Sequence, residues 1–287
     1  MNWFILTLLS QVFFVINAFV SKRFLNRSSL DPKIFGGISQ LLVGLLALPI
    51  AIATGFRFQL TSMSVLLLLS MMVIYVVGTS FYFVGLKHVD ISVTTILDAS
   101  TSIWALLIGV FILLESFTTY KLAGLIFILS AVILVSIDPR SLRLRFNKFE
   151  LFILLYAFMY AFGAAIDNQL VSFSNAISYL ALSFTSVGSI MLLANYHTLI
   201  ATPRKLIWTW PTVTTLLAIG GLSFAGFYCI MHAYELQGEI SSMMPIQQLG
   251  GVIVPLIGII FLHERTKVPQ KLVAALLAFI GVILINR

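Results

Sequence analysis

The stretch SVTTILDASTSIW, Ser92–Trp104, places a carboxylate, Asp98, between long apolar runs. Residues 92–136, which begin with this stretch, match a second segment 149 residues later without a gap. In each copy a glutamate, Glu115 or Glu264, ends one apolar run, and another apolar run begins after a short polar link. The chain therefore contains an internal repeat of paired apolar segments.

The composition requires a lipid environment. Of the 287 residues, 60% are hydrophobic and 9% are charged, whereas a soluble domain has about 25% charged residues. The apolar runs have about 18–24 residues, which is enough to cross a bilayer core of about 30 Å. Polar breaks predict an all-α membrane protein with ten transmembrane helices, at approximately 3–20, 34–55, 64–86, 91–113, 119–137, 149–169, 176–200, 212–235, 240–262 and 269–286.

The repeat groups these helices into two units of five, residues 1–145 and 146–287. An odd number of helices per unit gives the two units opposite orientations in the membrane. Inverted repeats are typical of secondary transporters, whose binding sites lie near the membrane midplane between the repeats. The sequence thus predicts a central cavity between two inverted five-helix halves.

The net charge of +7 is explained by the distribution of basic residues between the loops. Of the 17 Lys and Arg residues, only Arg57, Lys121 and Arg287 fall outside the odd-numbered loops. Cytoplasmic loops are enriched in Lys and Arg, so both termini are predicted on the non-cytoplasmic side. The basic charge indicates topology and membrane-lipid contact, and no nucleic-acid partner is expected. The expected location is the plasma (inner) membrane of a prokaryote.

Asp98 is the leading candidate for substrate binding. A charged side chain near the centre of a bilayer costs about 2.5–3.5 kcal/mol on insertion scales, so it usually faces a water-filled cavity or a partner. In a continuous helix Thr94, Thr95, Thr101 and Ser102 share its face, because they lie three or four residues away. The alternative is a helix–helix contact in which Asp98 is hydrogen-bonded or protonated.

The repeat suggests further polar candidates. Asp98 falls on Gln247, which is followed by Gln248, and these amides either bind substrate or hydrogen-bond to neighbouring helices. Asp167 lies late in the sixth span and Asn17 late in the first. Both are predicted ligands, although a carboxylate near a helix end can instead reach interfacial water.

Aromatic and titratable residues near the span ends complete the candidate set. Tyr82 and Trp104 flank the hairpin that carries Asp98 and are predicted to line the cavity, where aromatic faces attract cations. His232 and Glu235 are three residues apart and can share a helix face as a proton-sensitive pair. Asp98 is a second candidate for proton coupling. The alternative for the His–Glu pair is a cap at the membrane interface.

The charges inside the predicted spans favour a cationic substrate. These spans contain carboxylates but no deeply placed Lys or Arg, whereas a phosphate-bearing substrate needs cations to bind it. No metal-protease or serine-hydrolase motif and no channel filter sequence is present. We therefore expect no catalytic residue, no metal site and no cofactor, with an intramembrane enzyme or a channel as the remaining alternatives.

Two pairs of motifs carry a family resemblance. LLES around Glu115 precedes KLAGLIFILSAVILVS, and LHER around Glu264 precedes KLVAALLAFIGVILIN. With the hairpins FYFVGLKHVDIS and YCIMHAYELQGEIS, the chain resembles the EamA-like branch of the drug/metabolite transporter superfamily. One departure is that the first copy has Glu-Ser where the second has Glu-Arg, so an ion pair at Glu264 need not exist at Glu115.

The resemblance implies ten helices around a central cavity and alternating-access transport of small organic solutes, often outward. Together with the carboxylates, it predicts a secondary active exporter or exchanger of small cationic metabolites, with basic amino acids such as lysine and arginine favoured. Alternative substrates are neutral or aromatic amino acids, amines such as choline, and drugs. Because one chain contains both halves, a functional monomer is expected.

Overall fold

The structure is a computed structural model that describes residues 2–112, 118–136, 147–203, 207–238, 240–247, 250–261 and 266–285. Within these ranges the chain is helical, and its only β pairing is an isolated bridge between Phe58 and Ser174. The helices are α1 Trp3–Arg27, α2 Pro32–Thr54, α3 Ser62–His88, α4 Ile91–Asp98, α5 Thr101–Phe111, α6 Thr119–Ser136, α7 Lys148–Ser172, α8 Ala176–Ala194, α9 Tyr196–Ala201, α10 Trp210–Glu235, α11 Ile240–Gln247, α12 Gly250–Phe261 and α13 Val268–Ile285.

These helices have the length and composition of membrane spans. In the described part of the chain, seven are long and apolar enough to cross a bilayer, with α4 and α5 together forming one of them. Two shorter apolar helices lie at Thr119–Val135 and Val268–Leu284. A helix satisfies its backbone hydrogen bonds internally, which is why hydrophobic runs of this length fold as helices in lipid.

The helix boundaries confirm the internal repeat. Helices α4, α5 and α6 begin at residues 91, 101 and 119, and α11, α12 and α13 begin at residues 240, 250 and 268. Each start in the second half is therefore 149 residues after its counterpart. In the first half the fourth predicted span is divided into two helices, α4 and α5, rather than being continuous, which the sequence analysis did not predict.

The contacts between the halves follow the same symmetry. Helix α1 packs on α10 as α7 packs on α3, and α4 packs on α12 as α11 packs on α5. Helices α2 and α8 pack on each other, as do α6 and α13. Exchanging the two halves leaves this set of contacts unchanged, so the central space is bounded by equivalent helices from both halves.

Small residues allow the α2–α8 pair to approach closely. A Cβ atom on Gly44 would collide with the backbone of Thr185, and one on Gly188 would collide with the backbone of Leu41. Helix association in lipid relies on such close packing, because the surrounding lipid is as apolar as the side chains. This contact fixes one side of the molecule.

The first helix is longer than predicted. Helix α1 ends at Arg27 rather than near residue 20. Its Lys22 side chain is only 5% exposed, and Nζ donates hydrogen bonds of 2.6 Å to the carbonyls of Leu86 and Val89. The last carbonyls of a helix lack partners within that helix, and a cation stabilises them. Lys22 therefore caps the end of α3, a role that its sequence position in a presumed loop does not reveal.

Candidate functional site

A cavity of about 190 Å³ lies between the two halves. Its described lining comes from α1, α2, α3, α4, α7, α8, α10, α11 and α12. Six of the predicted substrate-binding residues line this space: Asn17, Tyr82, Thr94, Asp98, Asp167 and Gln247. The central cavity is thus present where the repeat predicts it.

The cavity lining is acidic. It contains two carboxylates, Asp98 and Asp167, and no Lys, Arg or His among its described residues. The remaining polar groups are amides and hydroxyls. A partly buried carboxylate favours a cation nearby, because the low effective dielectric of the protein interior strengthens the attraction.

Asp98 lies at the interruption between α4 and α5. The amide of Ser100 donates to the Leu97 carbonyl at 3.1 Å, and the amide of Ser102 donates to that of Ala99 at 3.1 Å, so the chain here bonds three rather than four residues back. The hydroxyl of Thr101 donates to Asp98 Oδ1 at 3.1 Å. Asp98 is thereby held at the C-terminal end of α4, where the helix dipole adds negative potential to that of the carboxylate.

The same interruption corrects two of the predicted ligands. Ser102 and Trp104 are not among the cavity-lining residues. Ser102 is buried in protein, and Trp104 packs edge-on against Phe158 with a ring separation of 4.9 Å. The prediction assumed a continuous helix through Asp98, whereas the three-residue turns change the direction in which later side chains point.

Asp167 lies in a pocket of tyrosines on the opposite half of the cavity. It is 4% exposed. The Tyr75 hydroxyl donates to Asp167 Oδ2 at 2.5 Å, and the Tyr179 hydroxyl donates to Oδ1. These bonds connect α7 to α3 and α8. Asp167 is thus buried within the protein, and the alternative in which it reaches interfacial water is wrong.

Tyrosine rings line the space between the two carboxylates. The Tyr82 and Tyr156 ring centres are 4.7 Å apart, those of Tyr156 and Tyr160 are 5.5 Å apart, and those of Tyr75 and Tyr160 are 6.3 Å apart. Tyr82 and Tyr156 line the same cavity as Asp98, while Tyr75 donates a hydrogen bond to Asp167. The rings therefore form a continuous wall from one carboxylate to the other.

The sequence analysis selected only Tyr82 from this wall. A helical signal for the others was present, because Tyr75 and Tyr82 are seven residues apart on α3, and Tyr156 and Tyr160 are four residues apart on α7. Such spacings place side chains on one helix face. Periodicity does not show which face of each helix points to the cavity.

Three buried polar groups in the cavity lining have no hydrogen-bond partner within the described residues. They are Gln247 Nε2, Thr94 Oγ1 and Ser183 Oγ. The other end of the Gln247 amide is fixed, since its Oε1 accepts a hydrogen bond of 3.2 Å from Tyr160. Buried polar groups normally have partners, so these three are available to a polar ligand. The predicted neighbour Gln248 lies outside the described residues, as do Glu115 and Glu264.

Asn17 has contacts within the protein. Its Nδ2 donates to the Ile219 carbonyl at 2.8 Å and to Ser223 Oγ at 2.9 Å. Asn17 therefore ties α1 to α10 at the edge of the cavity, and a ligand would compete with this packing contact.

His232 and Glu235 share a helix face as predicted, but neither lines the cavity. His232 Nδ1 lies 2.6 Å from Glu235 Oε2. Glu235 Oε1 accepts a hydrogen bond of 2.5 Å from the Ala176 amide, at the start of α8, where backbone N–H groups lack helical partners. These contacts are those of a helix cap, and a proton-coupling role of the pair stays a prediction.

Buried cations do exist, but outside the cavity. Lys271 is 1% exposed, and its Nζ lies 2.7 Å from Asp90 Oδ2. Asp90 also accepts a hydrogen bond of 3.0 Å from Thr266. Burial by itself raises the pKa of Asp90, but the hydrogen bond and charge of Lys271 outweigh it and lower that pKa below its ordinary value. This cluster joins the α3–α4 link of the first half to the start of α13 in the second half.

Comparison with known proteins identifies the family. The sequence model of the EamA-like transporter family matches residues 1–137 and again residues 147–287. The chain belongs to the EamA-like transporter family. No curated protein matches this EamA-like transporter. A solved structure described only as "Crystal structure of protein" is similar to it, with a TM-score of 0.64 and 12% identity, over 94% of this chain and 95% of the other. That similarity concerns the fold alone.

Family membership agrees with the membrane helices and the cavity. The protein is an integral membrane transporter of small molecules. Among the described residues no group of three His, Cys, Asp or Glu side chains is placed to hold a metal ion. The two matched segments correspond to the two halves that the internal repeat defines.

Proposed function

We propose that this chain is a secondary active transporter that exports or exchanges small cationic metabolites by alternating access, with lysine and arginine as its preferred substrates. It would do so as a monomer with ten spans, in two inverted halves at residues 1–145 and 146–287, in the inner membrane of a prokaryote. The observation that supports this proposal is a cavity with two carboxylates, a tyrosine wall and no basic side chain in its described lining.

A cation stabilises this cavity in two ways. It offsets the charge of Asp98, whose ionised form is costly within the membrane. It also interacts favourably with aromatic faces, by about 2 kcal/mol or more when both groups are desolvated. Tyr82 and Tyr156 line the same cavity as Asp98 and can supply such faces.

The unpartnered polar groups favour an amino acid over a simple amine. Gln247 Nε2 is a hydrogen-bond donor, and the hydroxyls of Thr94 and Ser183 can also donate. An α-carboxylate accepts such bonds, whereas the decarboxylated amines have no group that does so. Leaving a buried donor without a partner costs about 1–3 kcal/mol, which corresponds to roughly a 5- to 150-fold preference for the amino acid.

The experiment is counterflow of labelled arginine into proteoliposomes. Competitors are lysine, ornithine, cadaverine, choline, phenylalanine and glucose. We expect lysine and ornithine to compete strongly, cadaverine weakly, and glucose not at all. If purified, folded protein shows no arginine counterflow, a basic amino acid is not the substrate.

Asp98 is tested in the same assay. Asp98→Asn is expected to slow arginine counterflow by at least about tenfold, which corresponds to about 1.4 kcal/mol. The matched control is Ser102→Ala, one turn away, which removes a buried hydroxyl outside the cavity lining. A wild-type rate in Asp98→Asn would remove this carboxylate from substrate binding.

The second candidate substrate is a neutral or aromatic amino acid. Four phenylalanines contribute to the cavity lining, namely Phe14, Phe83, Phe184 and Phe227. The hydrogen bonds from Tyr75 and Tyr179 also satisfy both oxygens of Asp167 without a cation. Strong competition by phenylalanine together with none by lysine would favour this candidate.

A further inference from the structure

The two cavity carboxylates have different surroundings. Asp98 is half-buried at a helix end. Asp167 is almost fully buried, and each of its oxygens accepts a hydrogen bond from a tyrosine hydroxyl. Three tyrosines on neighbouring helices face Asp167: Tyr75 on α3, Tyr179 on α8 and Tyr234 on α10. Tyr160 lies on the same helix as Asp167, and Asp98 on α4 lies across the cavity. None of these groups carries a positive charge.

This environment allows Asp167 to exist with or without a proton. Burial disfavours an ionised carboxylate, while two hydroxyl donors stabilise it. The opposing effects bring the two protonation states closer in free energy. A substrate cation entering the cavity shifts the balance towards the ionised state, since it supplies the missing positive charge.

The two tyrosines are not equivalent. A tyrosine hydroxyl can donate or accept a hydrogen bond. Tyr75 lines the cavity, so its O–H can turn towards the cavity and its oxygen can accept a hydrogen bond from a protonated Asp167. Tyr179 is 0% exposed and does not belong to the cavity lining, so it remains a fixed donor. Protonation of Asp167 thus requires only a rotation of the Tyr75 hydroxyl.

We propose that Asp167 is the proton-binding residue of the transport cycle and that Tyr75, which lines the cavity beside it, relays its proton. When the cationic substrate enters, the Asp167 proton leaves to cavity water. When the substrate leaves, a proton returns to the carboxylate. One proton is exchanged for one substrate cation, so the cavity keeps a nearly constant charge. The exchange with substrate rests on the proposed function, whereas proton binding by Asp167 does not.

The first test needs no substrate. Infrared difference spectra of the reconstituted protein are recorded over a pH series, and the carbonyl stretch of a protonated carboxyl group is followed. The chain has 10 Asp and Glu residues, so the Asp167 contribution is the component of the band that is present in wild type and in Asp98→Asn but absent from Asp167→Asn. Identical bands in wild type and Asp167→Asn overturn the proposal.

Tyrosine variants provide the matched comparison, and they remain available if Asp167→Asn does not fold. Each of Tyr75→Phe and Tyr179→Phe removes one hydroxyl from Asp167. Only Tyr75→Phe removes a hydroxyl that faces the cavity, so we expect it alone to slow hydrogen–deuterium exchange of the carboxyl band. Equal exchange rates in the two variants would contradict the role of Tyr75.

The second test measures coupling in proteoliposomes with an acidic interior. Wild type should accumulate labelled arginine against its gradient and release protons, which an internal pH dye reports. Asp167→Asn should show the same arginine uptake with and without the pH gradient. Gradient-driven accumulation by Asp167→Asn overturns the proposal. Absence of arginine counterflow in wild type instead rejects the proposed substrate, and the infrared result then decides proton binding alone.

Discussion

The ion pair between the two halves permits a prediction in which its two members behave differently. Lys271 and Asp90 are 2.7 Å apart, but the lysine side chain is 1% exposed and the aspartate side chain is 40% exposed. We therefore compare Asp90→Asn with Lys271→Met. The first removes the carboxylate facing a buried ammonium group, and the second replaces that group with an apolar side chain of similar length.

The burial of each partner determines the expected magnitude. Removing one partner of a fully buried pair costs about 3–5 kcal/mol, because the other charge stays buried. Solvent around Asp90 reduces the value of the pair, so we expect Asp90→Asn to cost about 1–3 kcal/mol. Lys271→Met should cost only about 0–1 kcal/mol, because Asp90 remains solvated and a buried charge is removed.

The assay is reversible unfolding of the purified protein in mixed micelles by titration with a denaturing detergent. The free energy of unfolding is measured for both single variants and the double variant. The double variant should be close to Lys271→Met, since no buried ammonium remains to be destabilised. A larger loss for Lys271→Met than for Asp90→Asn would refute the reasoning from burial.

Three further predictions concern pH, packing and helix capping. The pKa of Asp90 is lowered in the folded state. Its contribution to stability is therefore fully present above the unfolded pKa of about 3.9 and is lost as the pH falls through the folded pKa. Acid titration should destabilise wild type more than Asp90→Asn. Gly44→Val should lower the free energy of unfolding by about 1–3 kcal/mol or more, because the added side chain collides with α8. Gly221→Ala should leave it unchanged, since the space around Gly221 is open. Equal thermal stability of the two variants would contradict this. Glu235→Gln should lower the free energy of unfolding by about 0.5–2 kcal/mol, because it weakens the cap of α8, and it should leave arginine counterflow unchanged. A loss of the pH dependence of transport in this variant would instead favour proton coupling at Glu235.

Local spacing predicts which side chains share the cavity lining only within one continuous helix. Thr94 and Asp98 are four residues apart within one helix, and both line the cavity. Ser102 has the same spacing on the other side of Asp98 but is separated from it by the α4–α5 interruption, and it does not. Nothing in SVTTILDASTSIW marks the interruption, because it contains neither Gly nor Pro. Helical spacing is informative only as far as the helix continues.

Sequence alone determined the membrane environment, the helical class, the internal repeat and the presence of carboxylates within the spans. These follow from composition and short-range periodicity, because each span in lipid must satisfy its own backbone hydrogen bonds. Only the tertiary structure decided which groups meet: Tyr75 and Asp167 are 92 residues apart, and Asp90 and Lys271 are 181 residues apart. The physical reason is that such contacts depend on the rotation and depth of each packed helix, which the interlocking of side chains across helices sets and no local pattern encodes.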